Sequence, residues 1–161
     1  MSMDKELKEG DSAPDFSLPS SNGERISLKD YKGKKRVVLY FYPKDDTPGC
    51  TQEACDFRDT TSEFSAQDAV IVGVGLDDEN SHRKFIQKYN LPFTLLSDVD
   101  QQMSKTYGVY KQKNMYGKTY WGIERTTFVI DKTGRIARIY PKVKVDHHIH
   151  EVLDFLKTSP G

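Results

Sequence analysis

Two cysteines, Cys50 and Cys55, are the residues whose type and spacing could carry chemistry in this chain. Cys50 follows an apolar run at residues 37–42, typical of a strand buried on both faces. Thr47 followed by Pro48 predicts a helix start, which places Cys50 in the first helical turn. Unpaired backbone N–H groups and the positive end of the helix dipole favour a thiolate there. The pattern therefore predicts a nucleophilic sulfur that is partly ionised at neutral pH.

The spacing of the two cysteines narrows the chemistry that they could do. Cys-x4-Cys is neither the Cys-x2-Cys of disulfide reductases nor a pair of zinc knuckles. Residues five apart on a continuous helix have Cα atoms roughly 8 to 9 Å apart, whereas a disulfide needs about 4.4 to 6.8 Å. If both cysteines are helical when reduced, they can join only after the start of the helix unwinds. That suits a catalytic pair better than a permanent crosslink.

The residues before Cys50 resemble a known family motif. Pro43-x-x-x-Thr47-x-x-Cys50 is similar to the active-site motif of peroxiredoxins. The resemblance to the bacterioferritin comigratory protein, or peroxiredoxin Q, branch extends over most of the chain and rests on three segments: residues 40–55, 113–118 and 122–128. A motif of this length, spread over separate segments, is an improbable chance match.

The resemblance implies a thioredoxin-like fold and the reduction of hydrogen peroxide and organic hydroperoxides. Cys50 would be the peroxidatic cysteine, and Cys55 would resolve its sulfenic acid as an intramolecular disulfide that thioredoxin reduces. Thr47 would contact the thiolate or the peroxide, Pro43 would shield the sulfur from water, and Arg125 would stabilise negative charge on both. No metal, haem, flavin or nucleotide is expected. Because the pairing is intramolecular, turnover does not need a dimer, and we expect a monomer.

Each of these residues also has a plainer interpretation. Free cysteines are often simply buried, and for Cys55 this reading is stronger than for the cysteine before it. Thr47 could act only as a helix cap, and Pro43 could only end a strand. Arg125, at the start of an apolar strand, could be a surface residue paired with a carboxylate such as Glu124.

Two other functions remain open for a chain of this type. One is a thioredoxin-fold binding or chaperone module whose cysteines only report redox state. The other is a disulfide reductase on the same fold. The missing Cys-x2-Cys argues against the reductase, and the combination of Pro43, Thr47, Cys50 and Arg125 argues against a non-catalytic module. Peroxide consumption driven by NADPH, thioredoxin reductase and thioredoxin would separate all three.

A histidine cluster near the end of the chain and six aromatic residues give weaker indications of function than the cysteine motif does. His147 and His150 would share one helical face, but no cysteine or carboxylate at ligand spacing completes a metal site with them or with His148. We expect exposed polar residues there and no metal. The aromatic residues are expected mainly in the core or at the rim of a pocket: Tyr40, Phe41, Tyr42, Tyr116, Tyr120 and Trp121.

Length and charge exclude several classes of function. A chain of 161 residues fits one domain, residues 1–161, that buries about 70% of its unfolded surface without disulfide or metal support. The 24 basic and 24 acidic residues cancel, which argues against a nucleic-acid or anionic-membrane partner. Residues 1–11 lack the apolar core of a signal peptide, and no later segment is apolar enough to span a bilayer. We therefore expect a cytoplasmic protein, in which a structural disulfide is unusual.

The pattern of the remaining chain predicts an α/β fold. Short strands at residues 16–18 and 25–28 flank Asn22-Gly23, a strong signal for an N-terminal hairpin. Further strands are predicted at residues 37–42, 70–76, 93–96, 125–130 and 136–140. Helices are predicted at residues 48–67, from about 81 to 89, at 100–107, and from near 146. Alternating units followed by a terminal hairpin and helix indicate a mixed central sheet with helices on both sides.

Overall fold

The computed structural model describes residues 6–159, and the domain predicted for residues 1–161 extends beyond this range at both ends. The strands are β1 (Ser17–Pro19), β2 (Arg25–Ser27), β3 (Arg36–Phe41), β4 (Ala69–Gly75), β5 (Thr94–Ser97), β6 (Tyr110–Met115), β7 (Lys118–Ile123), β8 (Thr126–Ile130) and β9 (Ile136–Tyr140). The helices are α1 (Pro48–Asp59), α2 (Thr61–Ala66), α3 (Glu79–Tyr89), α4 (Gln102–Thr106) and α5 (His148–Thr158). The predicted strands and helices are present with bounds shifted by a few residues, except that the helix predicted over residues 48–67 is divided into two.

A mixed five-stranded sheet forms the centre of the fold. Its strand order is β5-β4-β3-β8-β9, with β3, β4 and β5 parallel and β8 and β9 antiparallel to their neighbours. All six residues of the central strand β3 are buried, and five of them belong to the continuous apolar run that predicts a strand buried on both faces. Because β3 is the central strand, the loop that follows it and the start of α1 lie at the middle of the sheet, beside the carboxyl end of β3.

The two faces of the sheet are covered differently. Alternate residues of β3 point to opposite faces, so Tyr40 packs into one buried cluster and Phe41 into the other. The Tyr40 face is covered by α1, α2, α3 and α5. The Phe41 face is covered by α4 and the segment around the N-terminal hairpin of β1 and β2. Helices thus lie on both sides of the sheet, and most of them are on the face that carries α1.

The helix predicted over residues 48–67 is two helices, and the prediction of one continuous helix was wrong. The break lies at Thr60, whose φ of −117° and ψ of 10° are not helical. The Thr60 hydroxyl donates to the Asp56 carbonyl at 2.9 Å, and the Thr61 hydroxyl donates to the Phe57 carbonyl at 2.9 Å. Adjacent threonine hydroxyls that bond backbone carbonyls in this way compete with the regular helical pattern. Helix α1 consequently ends at Asp59, after both cysteines.

A second β-hairpin, formed by β6 and β7, was not predicted. Tyr116 and Gly117 make its two-residue turn, with φ of 53° and 77°. Such a turn normally carries Asn-Gly or Asp-Gly, and tyrosine is uncommon at its first position. Most residues of both strands are exposed, so the apolar alternation that usually reveals a strand is missing.

Among residues 6–159, no helix combines the length and apolar character required to cross a membrane.

Candidate active site

Helix α1 places Cys50 where the sequence predicts it. Thr47 is the N-cap residue, with φ of −95° and ψ of 155°, and Pro48 is the first helical residue. Cys50 follows in the first turn and is 2% exposed. Cys55 is half-buried on the same continuous helix, and both thiols are free. The two cysteines are therefore held at the helical spacing that excludes a disulfide until α1 unwinds.

Arg125 lies between β7 and β8 and reaches Cys50. Its Nη2 donates to the Cys50 Sγ at 3.3 Å, and its Nη1 donates to the Glu53 Oε1 at 2.6 Å. A Cβ atom on Gly49 would lie only 3.2 Å from Nη2, so the missing side chain there leaves room for the guanidinium. The carboxylate partner of Arg125 is thus Glu53 and not Glu124. A fixed cation beside the sulfur favours the thiolate over the thiol.

Glu53 is a site residue that the sequence reasoning missed. It is fully buried, and its Oε2 has no hydrogen-bond partner among residues 6–159. Burial raises the pKa of Glu53 to about 7, against the opposing effect of the Arg125 cation. The sequence did indicate that Glu53 lies near Cys50, because residues three apart share a helix face and Glu53 is three residues after Cys50. Its carboxylate orients the guanidinium that contacts the sulfur.

The buried Glu53 carboxyl should make the stability of the protein depend on pH. Its pKa in the folded state is about 7 and its ordinary value is 4.5, so the folded state holds the proton more tightly. The contribution of the Glu53 carboxyl to the free energy of unfolding is therefore fully present below pH 4.5. This contribution is lost as the pH rises through 7. Relative to Glu53→Gln, the wild-type free energy of unfolding should fall by about 2 kcal/mol from pH 5 to pH 8, measured with urea.

The matched control for this prediction is Glu63→Gln, which removes an exposed carboxylate from α2. The difference between wild type and Glu63→Gln should stay constant over the same pH range. A constant difference between wild type and Glu53→Gln as well would mean that the Glu53 carboxyl keeps its ordinary titration in the folded protein.

Thr47 and Pro43 lie in the loop between β3 and α1, as predicted. The Thr47 hydroxyl donates to the Lys44 carbonyl at 2.9 Å and caps no N–H of the helix, so its predicted side-chain cap is absent. Because the proton is directed at Lys44, the oxygen lone pairs remain able to accept a hydrogen bond. Pro43 lies two residues after the end of β3 and is half-buried.

Comparison with known proteins identifies the family. Residues 10–139 match the AhpC/TSA family. The chain belongs to that family. It is 56% identical to a putative peroxiredoxin bcp of Coxiella burnetii, over 91% of this chain and 97% of the relative. It is 53% identical to peroxiredoxin Bcp of Bacillus subtilis, over 92% of this chain and 94% of the relative.

A solved structure of the Xanthomonas campestris bacterioferritin comigratory protein, described for its alkyl peroxide reduction activity, shares the fold. Its TM-score is 0.84 at 42% identity, over 88% of this chain and 90% of that one. The thioredoxin-like fold and the bacterioferritin comigratory protein branch are thereby confirmed. This chain is a peroxiredoxin, a thiol-dependent peroxidase with two cysteines among its described residues.

Lys113 is a charged neighbour of the site in this peroxiredoxin that was not singled out as a site residue from the sequence. The charges of Arg125 and Cys50 both affect the pKa of Lys113, which lies on β6. Its pKa is lowered, first by burial and then by Arg125, although Glu124 and Cys50 oppose the shift.

The pKa of Cys55 is raised, mainly by burial, with Arg58 opposing. Cys55 is therefore less ready than an exposed thiol to ionise while α1 is intact.

The histidine cluster has a structural role that differs from the prediction. His147 is exposed and precedes α5, whereas His148, expected to be exposed, is buried against Tyr140. The His148 Nε2 lies 2.9 Å from the Thr127 hydroxyl, and burial is the main cause that lowers the pKa of His148. His148 thus joins α5 to the sheet behind the site.

The six aromatic residues divide into two groups. The first group is buried in the core: Tyr40, Phe41 and Tyr42. The second group lies exposed on the hairpin of β6 and β7: Tyr116, Tyr120 and Trp121. The prediction of core or pocket rim is therefore correct for the first group, while Tyr116, at 96% exposure, belongs to neither.

Proposed function

We propose that this peroxiredoxin reduces hydrogen peroxide and organic hydroperoxides with Cys50 as the attacking nucleophile. The observation that carries the proposal is the contact of 3.3 Å between the Arg125 Nη2 and the Cys50 Sγ, at the N-terminus of α1. A helix N-terminus and a guanidinium both stabilise negative charge, so the sulfur attacks as a thiolate. The alkyl peroxide activity described for the Xanthomonas protein supports organic hydroperoxides as substrates.

In the first step, the Cys50 thiolate attacks the terminal oxygen of the hydroperoxide. An S–O bond forms as the O–O bond breaks, and the departing alkoxide or hydroxide takes a proton to leave as alcohol or water. Arg125 stabilises the charge that develops on the peroxide oxygens. The Thr47 hydroxyl accepts the hydrogen bond of the peroxide O–H, and the Pro43 ring keeps bulk water from the sulfur. Cys50 is left as a sulfenic acid.

In the second step, the Cys55 thiolate attacks the sulfenic sulfur, and water leaves as the Cys50–Cys55 disulfide forms. Because both cysteines lie on α1, the helix must unwind between them before their sulfurs can meet. Unwinding also removes Cys55 from the partly buried position that disfavours its ionisation. The opening of α1 is thus part of the reaction.

The third step restores the dithiol, and we propose thioredoxin as the donor of the two electrons. A thioredoxin thiolate attacks the disulfide, and the mixed disulfide is then resolved within thioredoxin. A sulfur at 2% exposure is difficult for another protein to reach, whereas an unwound segment presents it. This cycle needs a reducing compartment, which favours the cytoplasm, and it proceeds within one chain, so a monomer suffices.

A coupled assay with NADPH, thioredoxin reductase and thioredoxin tests the proposed function. Wild type should consume peroxide continuously. Cys55→Ser should consume about one peroxide per chain and then stall, because its sulfenic acid forms without a resolving partner. Continuous turnover by Cys55→Ser with thioredoxin would show that the resolving residue is assigned wrongly. Thioredoxin oxidation without peroxide would instead indicate a disulfide reductase.

A further inference from the structure

The loop that carries Pro43 and Thr47 contains a buried carboxylate that the proposed chemistry does not use. Asp45 has a side chain that is only 5% exposed, and it contacts His82, which is fully buried on α3. The His82 Nδ1 lies 2.7 Å from the Asp45 Oδ2. Neither residue is among the partners of Cys50, so their pairing needs another explanation.

Both ring nitrogens of His82 face hydrogen-bond acceptors. The Nε2 lies 3.0 Å from the Leu96 carbonyl oxygen, and the Nδ1 faces the Asp45 carboxylate. Each of these two short contacts requires a hydrogen atom between the ring nitrogen and the oxygen that it faces. Asp45 also accepts from the Tyr42 hydroxyl at 2.5 Å and from the Ser81 hydroxyl at 2.8 Å. Asp45 and His82 are therefore joined by a short hydrogen bond inside a buried polar network.

The absence of a side chain at Gly75 leaves room for the rings of Tyr42 and His82 beside this pair. A Cβ atom on Gly75 would lie 3.1 Å from the Tyr42 ring and 3.2 Å from the His82 ring, so a side chain there would displace both. A buried polar pair is costly unless its hydrogen bonds are satisfied, and it contributes little net stability compared with apolar residues. It can, however, impose one arrangement on the segments that it joins. Here it joins the loop before α1 to α3.

The neighbouring residues strengthen the attachment of the loop. The Asp45 backbone N–H donates to the Asp77 carboxylate at 2.8 Å. Asp46 has a φ of 57°, and its carboxylate accepts from the Lys88 Nζ and the Tyr89 hydroxyl, each at 2.7 Å. An aspartate in the left-handed region is held there by such contacts. Two consecutive loop residues are thus fixed from both ends of α3.

We propose that Asp45 and His82 are positioning residues, whose buried hydrogen bond fixes the loop so that Thr47 and Pro43 are correctly placed at Cys50. This inference rests on the proposed function and adds two residues to it. The ligand atoms of Asp45, Asp77 and His82 do lie within 4.8 Å of one another. The His82 and Asp45 side chains bond each other and the Asp77 carboxylate accepts the Asp45 N–H, so hydrogen bonds account for the cluster.

The test compares two reactions of the same sulfur in a Cys55→Ser background. Peroxide oxidation of Cys50 uses the placed loop, whereas alkylation by iodoacetamide needs only an accessible thiolate. Asp45→Asn and His82→Gln should slow peroxide oxidation by about 10- to 100-fold, since small displacements of an aligning group have effects of this size. Alkylation should stay within about twofold of the parent, because the Arg125 contact is untouched.

The matched control is Asp154→Asn, which removes an exposed carboxylate from α5 and should alter neither rate. An unchanged ratio of the two rates in both Asp45→Asn and His82→Gln would overturn the inference. If the parent protein is itself not oxidised at Cys50 by peroxide, the proposed function fails instead, so the two failures are distinguishable.

A measurement on the wild-type protein keeps the inference testable if these variants fold poorly. Proton NMR should show a ring N–H resonance of His82 that is protected from exchange with water, because the ring is fully buried and bonded to Asp45 and Leu96. Rapid exchange of the His82 ring protons with water would contradict the buried pairing and overturn the inference.

Discussion

Cys50→Ser is expected to abolish peroxide reduction with every thiol donor. A serine hydroxyl stays neutral at pH 7, even beside Arg125, and oxygen cannot form the sulfenic acid on which the cycle depends. Cys55 cannot substitute, because the guanidinium contacts Cys50 and burial raises the pKa of Cys55. The check is peroxide consumption in a single turnover and in the coupled assay, with the fold verified by circular dichroism.

Cys55→Ser is the matched control for this change, since it makes the same substitution on the same helix. It should keep the first turnover that Cys50→Ser loses. If Cys50→Ser still consumed one peroxide per chain while Cys55→Ser consumed none, the roles of the two cysteines would be reversed.

Arg125→Met is expected to slow the oxidation of Cys50 by about 10²- to 10³-fold, the usual effect of removing one donor to developing charge. Methionine keeps much of the side-chain volume but removes the contact with the sulfur. Arg125→Lys should recover only part of the rate, because a point charge cannot contact Cys50 and Glu53 with the planar fork of a guanidinium. Stopped-flow measurement of the second-order rate with peroxide is the check.

Two further variants make the Arg125 result interpretable. Arg125→Met alone leaves the Glu53 carboxyl buried without its cation, so it should be repeated in a Glu53→Gln background. Arg25→Met removes an equivalent charge from the N-terminal hairpin, where the arginine contacts Ser17, and should leave the rate unchanged. A wild-type rate for Arg125→Met in both backgrounds would exclude Arg125 from the peroxide step.

The sequence predicted the parts of the site that are local in the chain. Thr47, Pro48 and Cys50 are neighbours, so a strand end and a helix start were enough to place the sulfur in the first turn. Arg125 is 75 residues from Cys50, and only the resemblance to the family indicated their contact. The carboxylate partner of Arg125, Glu53, was not identified, because sequence adjacency says nothing about which carboxylate the fold brings near.

The buried polar residues escaped prediction for a common physical reason. Glutamate and aspartate are usually exposed and histidine is often partly exposed, so only tertiary contacts show that Glu53, Asp45 and His82 are paired inside. Thr60 was read as a helical residue, since the competition of its hydroxyl for a backbone carbonyl depends on the local conformation. The hairpin of β6 and β7 was missed because most of its residues face solvent on both sides.

The central claim is that α1 holds Cys50 and Cys55 apart when reduced and must unwind for them to join. Amide hydrogen exchange on the reduced and oxidised forms tests it most directly, with β3 and β4 as internal references that should stay protected in both. We expect the oxidised form to lose protection mainly over residues 47–57. Equal protection of that segment in both forms, with the Cys50–Cys55 bond verified by mass spectrometry, would contradict the claim.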